Sequence, residues 1–337
     1  MPRQLRHHAL PAAMQFLQRR SIVTLVTVGM LGCRSQEAKP IPAPTPSKPA
    51  VVANPPAVAA TKQAAANFAK DQESCTAKNR DGCYNLGLAY EHGSGVAKDS
   101  AKAAALYEQV CAAGDVEGCN NLGALYEKGD GVTKDLAKAA TFYQQACTGG
   151  ELVSCNNLGN LFSSGNGVSK DAAKAAALYQ QACSRGLLAS CASLGRAYQL
   201  GTGVVVDFVK AAELSMPACA DGDFRACLTM GRLHEAGTGV GKDAIKAAGF
   251  FEQACSGGTM AGCTDLGILY ASGIGVTKDM AKAVALYQQA CSAGELGSCN
   301  NLGRAYQVGD GVGKDAAKAA ALLRQACDGG VAEACAK

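Results

Sequence analysis

A chain of 337 residues is long enough for about two ordinary domains, and its 48% apolar content can bury a core even though aromatic residues make up only 5%. Its 17 cysteines exclude an ordinary reduced cytosolic enzyme, where thiols are rare unless they bind metal or catalyse. Lys+Arg outnumber Asp+Glu by 32 to 28, but Arg3, Arg6, Arg19 and Arg20 account for the surplus, so the body is neutral and lacks the basic face of a nucleic-acid binder.

Residues 1–32 read as an export signal. Arg19 and Arg20 supply its charge, and Ser21–Gly32 is an uncharged apolar stretch, too short for a membrane span of about 20 residues. The stretch ends in Met30-Leu31-Gly32-Cys33, which resembles the bacterial lipoprotein box. That resemblance implies cleavage before Cys33, lipidation of its thiol and attachment to a membrane of the cell envelope. The alternative is cleavage nearby and a secreted protein. The leader is longer than such signals need, which leaves Met14 as a second candidate start. Residues 33–60 follow as a linker: seven of the ten prolines fall between Pro40 and Pro56, a composition that favours an extended, semi-rigid tether.

From residue 61 to 337 the chain repeats itself. Cysteines stand at 75, 111, 147, 183, 219, 255, 291 and 327, every 36 residues, and a partner follows each one eight residues later. The spacing gives seven full repeats from Cys75 and a partial eighth over 327–337, with no insertion anywhere. Each unit predicts two helices. In the second unit Cys119, Leu122, Gly123 and Tyr126 share one face of the first helix, which stops at Gly129-Asp130-Gly131. Val132 plugs the turn, and Asp135 caps a second helix carrying Ala139, Ala140, Phe142 and Tyr143 and ending at Cys147. Short loops make the two helices antiparallel neighbours, and stacked hairpins of this length form an all-α, α/α solenoid. The fourth unit departs most: Val206 replaces the turn lysine, Ser215 the helix tyrosine, and Pro217 predicts a local kink. In the fifth, His234 stands at the recurring tyrosine position.

The 36-residue period with its Gly-x-Gly-Val turn resembles the Sel1-like repeat, a relative of the tetratricopeptide repeat. With a Cys-x7-Cys pair in each unit, the chain is similar to the Helicobacter cysteine-rich protein family. The resemblance implies protein or peptide partners on a concave face. It also implies a β-lactamase or penicillin-binding activity, as members of that family are described. The residues do not support such an activity, because neither Ser-x-x-Lys, Ser-Asp-Asn nor Lys-Thr-Gly occurs. A purely structural role in the envelope is a further alternative. Two isolated histidines beyond the signal, and no Cys-x2-Cys, speak against a metal centre; no cofactor is expected.

Three roles compete for the cysteines: zinc ligation, buried free thiols and disulfides. Export favours disulfides. Cys111 and Cys119 flank the centre of a helical hairpin at matching height, which predicts Cys75–Cys83, Cys111–Cys119, Cys147–Cys155, Cys183–Cys191, Cys219–Cys227, Cys255–Cys263, Cys291–Cys299 and Cys327–Cys335, leaving Cys33 for lipid. On the first helix, the arc opposite the core carries Asn120, Asn121, Ala124 and Lys128. The Ala124 position varies from unit to unit, as Leu88, Asn160, Arg196, Arg232, Ile268 and Arg304, while the Asn121 position stays polar. The expected partner-binding face is therefore Asn85, Asn121, Asn157, Arg196, Arg232, Asn301 and Arg304. The asparagines could instead bond to the neighbouring unit. Asp135 reads as a cap and Lys138 as a solvated charge.

Overall fold

The structure is a computed structural model that describes residues 57–335. The signal, Cys33 and most of the linker lie outside the described residues. The described chain is all helical. Helix α1 (Ala57–Thr76) comes first. The first helices of the seven units are α2 (Arg80–His92), α4 (Val116–Lys128), α6 (Leu152–Ser164), α8 (Leu188–Leu200), α10 (Phe224–Ala236), α12 (Met260–Ser272) and α14 (Leu296–Val308). The second helices are α3 (Ser100–Ala112), α5 (Leu136–Thr148), α7 (Ala172–Cys183), α9 (Phe208–Ala220), α11 (Ala244–Ser256), α13 (Met280–Ser292) and α15 (Ala316–Asp328). A short α16 (Ala332–Cys335) closes the series.

Helix α1 begins four residues inside the span read as linker. The reason is local: Pro56 is the last proline of the tether, and the Ala, Lys and Gln that follow are strong helix formers. Cys75 near its end pairs with Cys83 of α2, so α1 stands where a second helix of a preceding unit would stand.

The units are built alike because the same residues meet the same needs. The Asp135 carboxylate accepts from the Ala137 and Lys138 N–H groups, both at 3.0 Å, and so caps α5. Gly129 closes α4, donating its N–H to the Leu125 carbonyl at 2.8 Å. Gly131 has φ +74°, and a Cβ there would run into the backbone of Ser100 at the start of the preceding unit's second helix. Only glycine fits such a close approach in the left-handed region. Gly123 lies against the ring of Tyr143, which is 1% exposed; a Cβ on Gly123 would sit 2.8 Å from Tyr143 Cε1. The pair recurs as Gly87 with Tyr107, Gly159 with Tyr179 and Gly267 with Tyr287. Ala103 and Ala104, with their counterparts, let the two helices approach, and Val132 packs against the cluster they form with Tyr107, Leu122 and Leu125.

Eight disulfides join the cysteines in the pattern of separation eight, with Cα–Cα distances from 4.4 to 4.9 Å. Six tie the second helix of one unit to the first helix of the next, while Cys75–Cys83 ties α1 to α2 and Cys327–Cys335 ties α15 to α16. Such a number of bridges belongs to an oxidising, extracytoplasmic compartment. Among the described residues no helix is long and apolar enough to cross a membrane.

The fourth unit keeps the register despite its substitutions. Helix α9 runs unbroken through Pro217, and the following bridge Cys219–Cys227 has the same 4.7 Å Cα–Cα distance as its neighbours. Proline has no N–H to give the Glu213 carbonyl, yet the helix continues for three more residues to Ala220. Ser215 leaves a buried hydroxyl without a hydrogen-bond partner.

Candidate interaction face

Each first helix is packed on several sides. Helix α4 lies against its own α5 and against α3 of the preceding unit. Successive first helices also touch one another: Ser154 Oγ of α6 donates to Asn120 Oδ1 of α4 at 2.9 Å, and Ser190 Oγ of α8 donates to Asn156 Oδ1 of α6 at 3.0 Å. Thr264 and Ser298 hydroxyls pair at 2.6 Å between α12 and α14. Second helices of neighbouring units touch as well: Gln145 Nε2 of α5 donates to the Cys111 carbonyl of α3 at 3.3 Å. The first helices stack side by side along the array through their hydroxyl and amide contacts, and we take their side as the inner face of the solenoid.

This crowding corrects the expected exposed arc. Asn120 is half-buried, and its counterparts Asn156 and Asn300 are buried, so this column is a seam between units and not a surface. The Asn121 column is only partly available. Asn85 is exposed, whereas Asn121, Asn157 and Asn301 are half-buried. The Asn121 amide donates to the Tyr84 hydroxyl of the preceding unit at 3.3 Å, and the Asn157 amide reaches Asn120 Oδ1 at 3.5 Å. These asparagines hold the neighbouring unit through side chains.

The variable column is the true surface of the inner face. Arg196 and Arg304 are exposed, and neither has an ion-pair partner among the described residues. Ile268 is 43% exposed, and Asn160 is exposed. Arg232 differs: its Nε donates to Asp265 Oδ2 at 2.8 Å, so its charge is already answered within the chain. Burial pushes the Asp265 carboxyl up, and the Arg232 guanidinium pulls it back. The nearby Glu235 carboxyl is also raised, chiefly by burial and then by Asp265.

The lysine that follows each cap is not simply solvated. Lys138 Nζ lies 5.1 Å from the centroid of the Tyr126 ring, and Lys102, Lys174, Lys210, Lys282 and Lys318 repeat the contact at 5.0 to 5.3 Å. Such cation–π contacts at exposed sites contribute about 0.5–1 kcal/mol each. Several of these lysines also pair with the capping aspartate, as Lys102 does with Asp99 at 3.2 Å. In the fifth unit the corresponding ring is His234, stacked on Phe250 at 5.5 Å, with its Nδ1 at 3.1 Å from the Gly241 carbonyl.

Comparison with known proteins agrees with this architecture. The family model described as Sel1 repeat matches residues 80–115, 116–151, 152–187, 188–223, 225–259, 261–295 and 297–331, a phase that starts each unit at its first helix instead of at the preceding cysteine. The chain is similar to the crystal structure of c5321, a protective antigen present in uropathogenic Escherichia coli strains, with 26% identity and a TM-score of 0.64. That match covers 79% of this chain, which spans 57% of the antigen's length. A Sel1 repeat protein from Oxalobacter formigenes is also 26% identical, with a TM-score of 0.60 over 81% of this chain and 79% of that one. Helicobacter pylori cysteine rich protein B is 28% identical over 39% of this chain and 93% of its own, with a TM-score of 0.32. No curated protein matches the chain. Seven matched units in unbroken succession account for most of its length: the chain belongs to the Sel1 repeat family.

Proposed function

We propose that this protein is an exported scaffold, attached to a bacterial envelope membrane through lipid on Cys33, that holds a protein or peptide partner along the inner face of its solenoid. One observation carries the reading. The packing residues of the first helices hardly change from unit to unit, but the column beside them changes from Leu88 to Ala124, Asn160, Arg196, Arg232, Ile268 and Arg304. A solvent-facing column can change without cost to the packing beside it, so it is where the array is free to distinguish one partner from another. Most of that column faces solvent, and Arg196 and Arg304 present unanswered guanidinium groups, which suit the carboxylates of an acidic partner. Extended inner faces of this kind are the binding surfaces of helical solenoids.

The test is affinity capture from an envelope extract, run in parallel with the disulfide-intact chain and an Arg196→Glu, Arg304→Glu variant. Both substitutions are on exposed side chains, so the thermal midpoint stays unchanged. A partner held by the parent and released by the variant supports the proposal. A partner held equally by both places the site elsewhere.

A further inference from the structure

The groove between α6 and α8 differs chemically from its counterparts. In the first two units the buried tyrosine of the second helix donates its hydroxyl to a carboxylate on the first helix. Tyr107 reaches Glu91 Oε2 at 2.7 Å, and Tyr143 reaches Glu127 Oε2 at 2.6 Å. The third unit has Ser163 at the glutamate position. Its Tyr179 hydroxyl donates to Asn160 Oδ1 at 2.8 Å, and a cleft of about 330 Å³ opens beside it. Asn160, Ser163, Lys170, Tyr179, Arg196 and Arg225 line this cleft, and none of its lining is acidic among the described residues.

One of those cations is peculiar to this place. The Arg225 position holds Asp81, Glu117, Val153, Ala189, Ala261 and Gly297 in the other units, never a cation. Arg225 reaches the cleft from the start of α10, and its ion-pair partner among the described residues is Asp223, 3.5 Å from its Nη2. Arg196 has no carboxylate partner among the described residues. The field of Arg225 is felt at the cleft wall: burial raises the Tyr179 hydroxyl, and Ser163 and Arg225 both pull it back.

We infer that the cleft between the third and fourth units receives the carboxylate side chain of an aspartate or glutamate on a bound peptide. The chain itself supplies the template. Glu91 and Glu127 show that a carboxylate sits well against this tyrosine and its surrounding helices when it comes from within. In the third unit the carboxylate is left to the partner, and Arg196, Arg225 and Lys170 are there to meet it. A guanidinium fork matches a carboxylate in two parallel hydrogen bonds, and the Ser163 hydroxyl adds a third donor. The volume admits one side chain, not a folded domain. The inference rests on the reading that the inner face binds a partner, and it assigns that face a specificity.

A fluorescein-labelled hexaglutamate peptide and its hexaglutamine counterpart, measured by fluorescence anisotropy against the disulfide-intact chain, test it. Hexaglutamate binds roughly tenfold or more tightly than hexaglutamine, since each lost charged hydrogen bond is worth about that factor. Arg196→Gln and Arg225→Gln each weaken hexaglutamate binding roughly tenfold, whereas Arg324→Gln on the outer helix α15 changes it by less than about twofold. Ser163→Glu restores the pattern of the first two units, fills the cleft from within and abolishes binding without lowering the thermal midpoint. Equal affinity for the two peptides overturns the inference, as does full binding by the Ser163→Glu variant or an equal loss on Arg324→Gln. Inorganic phosphate that displaces hexaglutamate in proportion to its charge alone also overturns it, marking a general anion site. Failure here leaves the scaffold reading to the envelope capture, whose variant includes Arg304, outside this cleft.

Discussion

Two glycine-to-alanine substitutions separate contact from propensity in this fold. Gly123 lies in α4 and Gly249 in α11, both inside helices. Alanine in a helix interior is favoured over glycine by about 1 kcal/mol, so both substitutions begin with that gain. At Gly249 nothing lies within 4 Å of the added methyl, and other units carry Ala105, Ala177, Ala285 and Ala321 at this position. Gly249→Ala therefore stabilises by about 0.5–1 kcal/mol. At Gly123 the methyl would stand 2.8 and 2.9 Å from Tyr143 Cε1 and Cδ1 and 3.3 Å from the Ala139 carbonyl oxygen. Tyr143 is fully buried and anchored through its hydroxyl to Glu127, so the ring cannot swing away without losing that bond. Overpacking of a filled core costs about 1–3 kcal/mol, which turns the gain into a net loss of about 1. The expected gap between the two variants is thus about 2 kcal/mol, roughly thirtyfold in a local equilibrium constant. Urea unfolding followed by far-UV circular dichroism, with disulfides intact and the slopes compared, reads it directly. A Gly123→Ala protein as stable as Gly249→Ala would refute the argument that the tyrosine ring dictates this glycine.

Four further outcomes follow from the same structure. Replacing Cys111 and Cys119 together with alanine opens the loop closed at separation eight and lowers stability by about 2.5 kcal/mol on the chain-entropy model, measured by urea unfolding. Tyr143→Phe removes a hydrogen bond to a carboxylate and costs about 1.5 kcal/mol, whereas Tyr287, pushed up to about 12 by burial alone, has no such bond and tolerates Phe within about 0.5. Ser215→Ala removes the unpartnered buried hydroxyl and raises stability by about 1 kcal/mol; a decrease would show that the hydroxyl has a partner. The caps Asp99, Asp171, Asp207, Asp243 and Asp315 are held below the usual carboxylate range, first by the backbone N–H of the lysine three residues on. Their contribution is complete above about pH 4, where the unfolded carboxyl is ionised, and is lost as pH falls through the lowered folded value. The thermal midpoint consequently drops on acidification below about pH 4, and replacing all five by Asn makes that drop shallower.

The fold was legible because periodicity overdetermines it. Cysteines every 36 residues, the turn glycines Gly129 and Gly131, Val132 and Asp135 recur in one register, and each has a local physical meaning. The start of α1 was not legible, because Ala57 follows directly on a proline-rich tether and Cys75 read as the beginning of a unit instead of the end of a helix. The inner face was legible in part. Projecting α4 onto a wheel divides it into core and solvent, but a first helix in a solenoid has neighbours on both flanks. Asn120 thus falls at a seam that no single-helix projection contains. The same limit concealed the Arg232–Asp265 pair, whose members lie 33 residues apart, nearly one full unit. The glutamates Glu91 and Glu127 and the serine Ser163 stood in plain view. Their meaning depended on seeing the tyrosine hydroxyl that bonds to the first two.

The placement of the cross-links across unit boundaries has a consequence for how such a chain can change length. Excise residues 116–151 from the gene, and Cys119 and Cys147 disappear together while Cys111 and Cys155 arrive at a separation of eight. No thiol is orphaned, and the new junction is chemically the same as the old ones. A duplication of any 36-residue window behaves likewise, because it adds one complete pair wherever the breakpoints fall within the array. Unequal recombination between these similar copies can therefore lengthen or shorten the array in whole units without producing a mispaired intermediate. Copy number, and with it the reach of the inner face, is free to drift while the oxidative chemistry of folding stays the same.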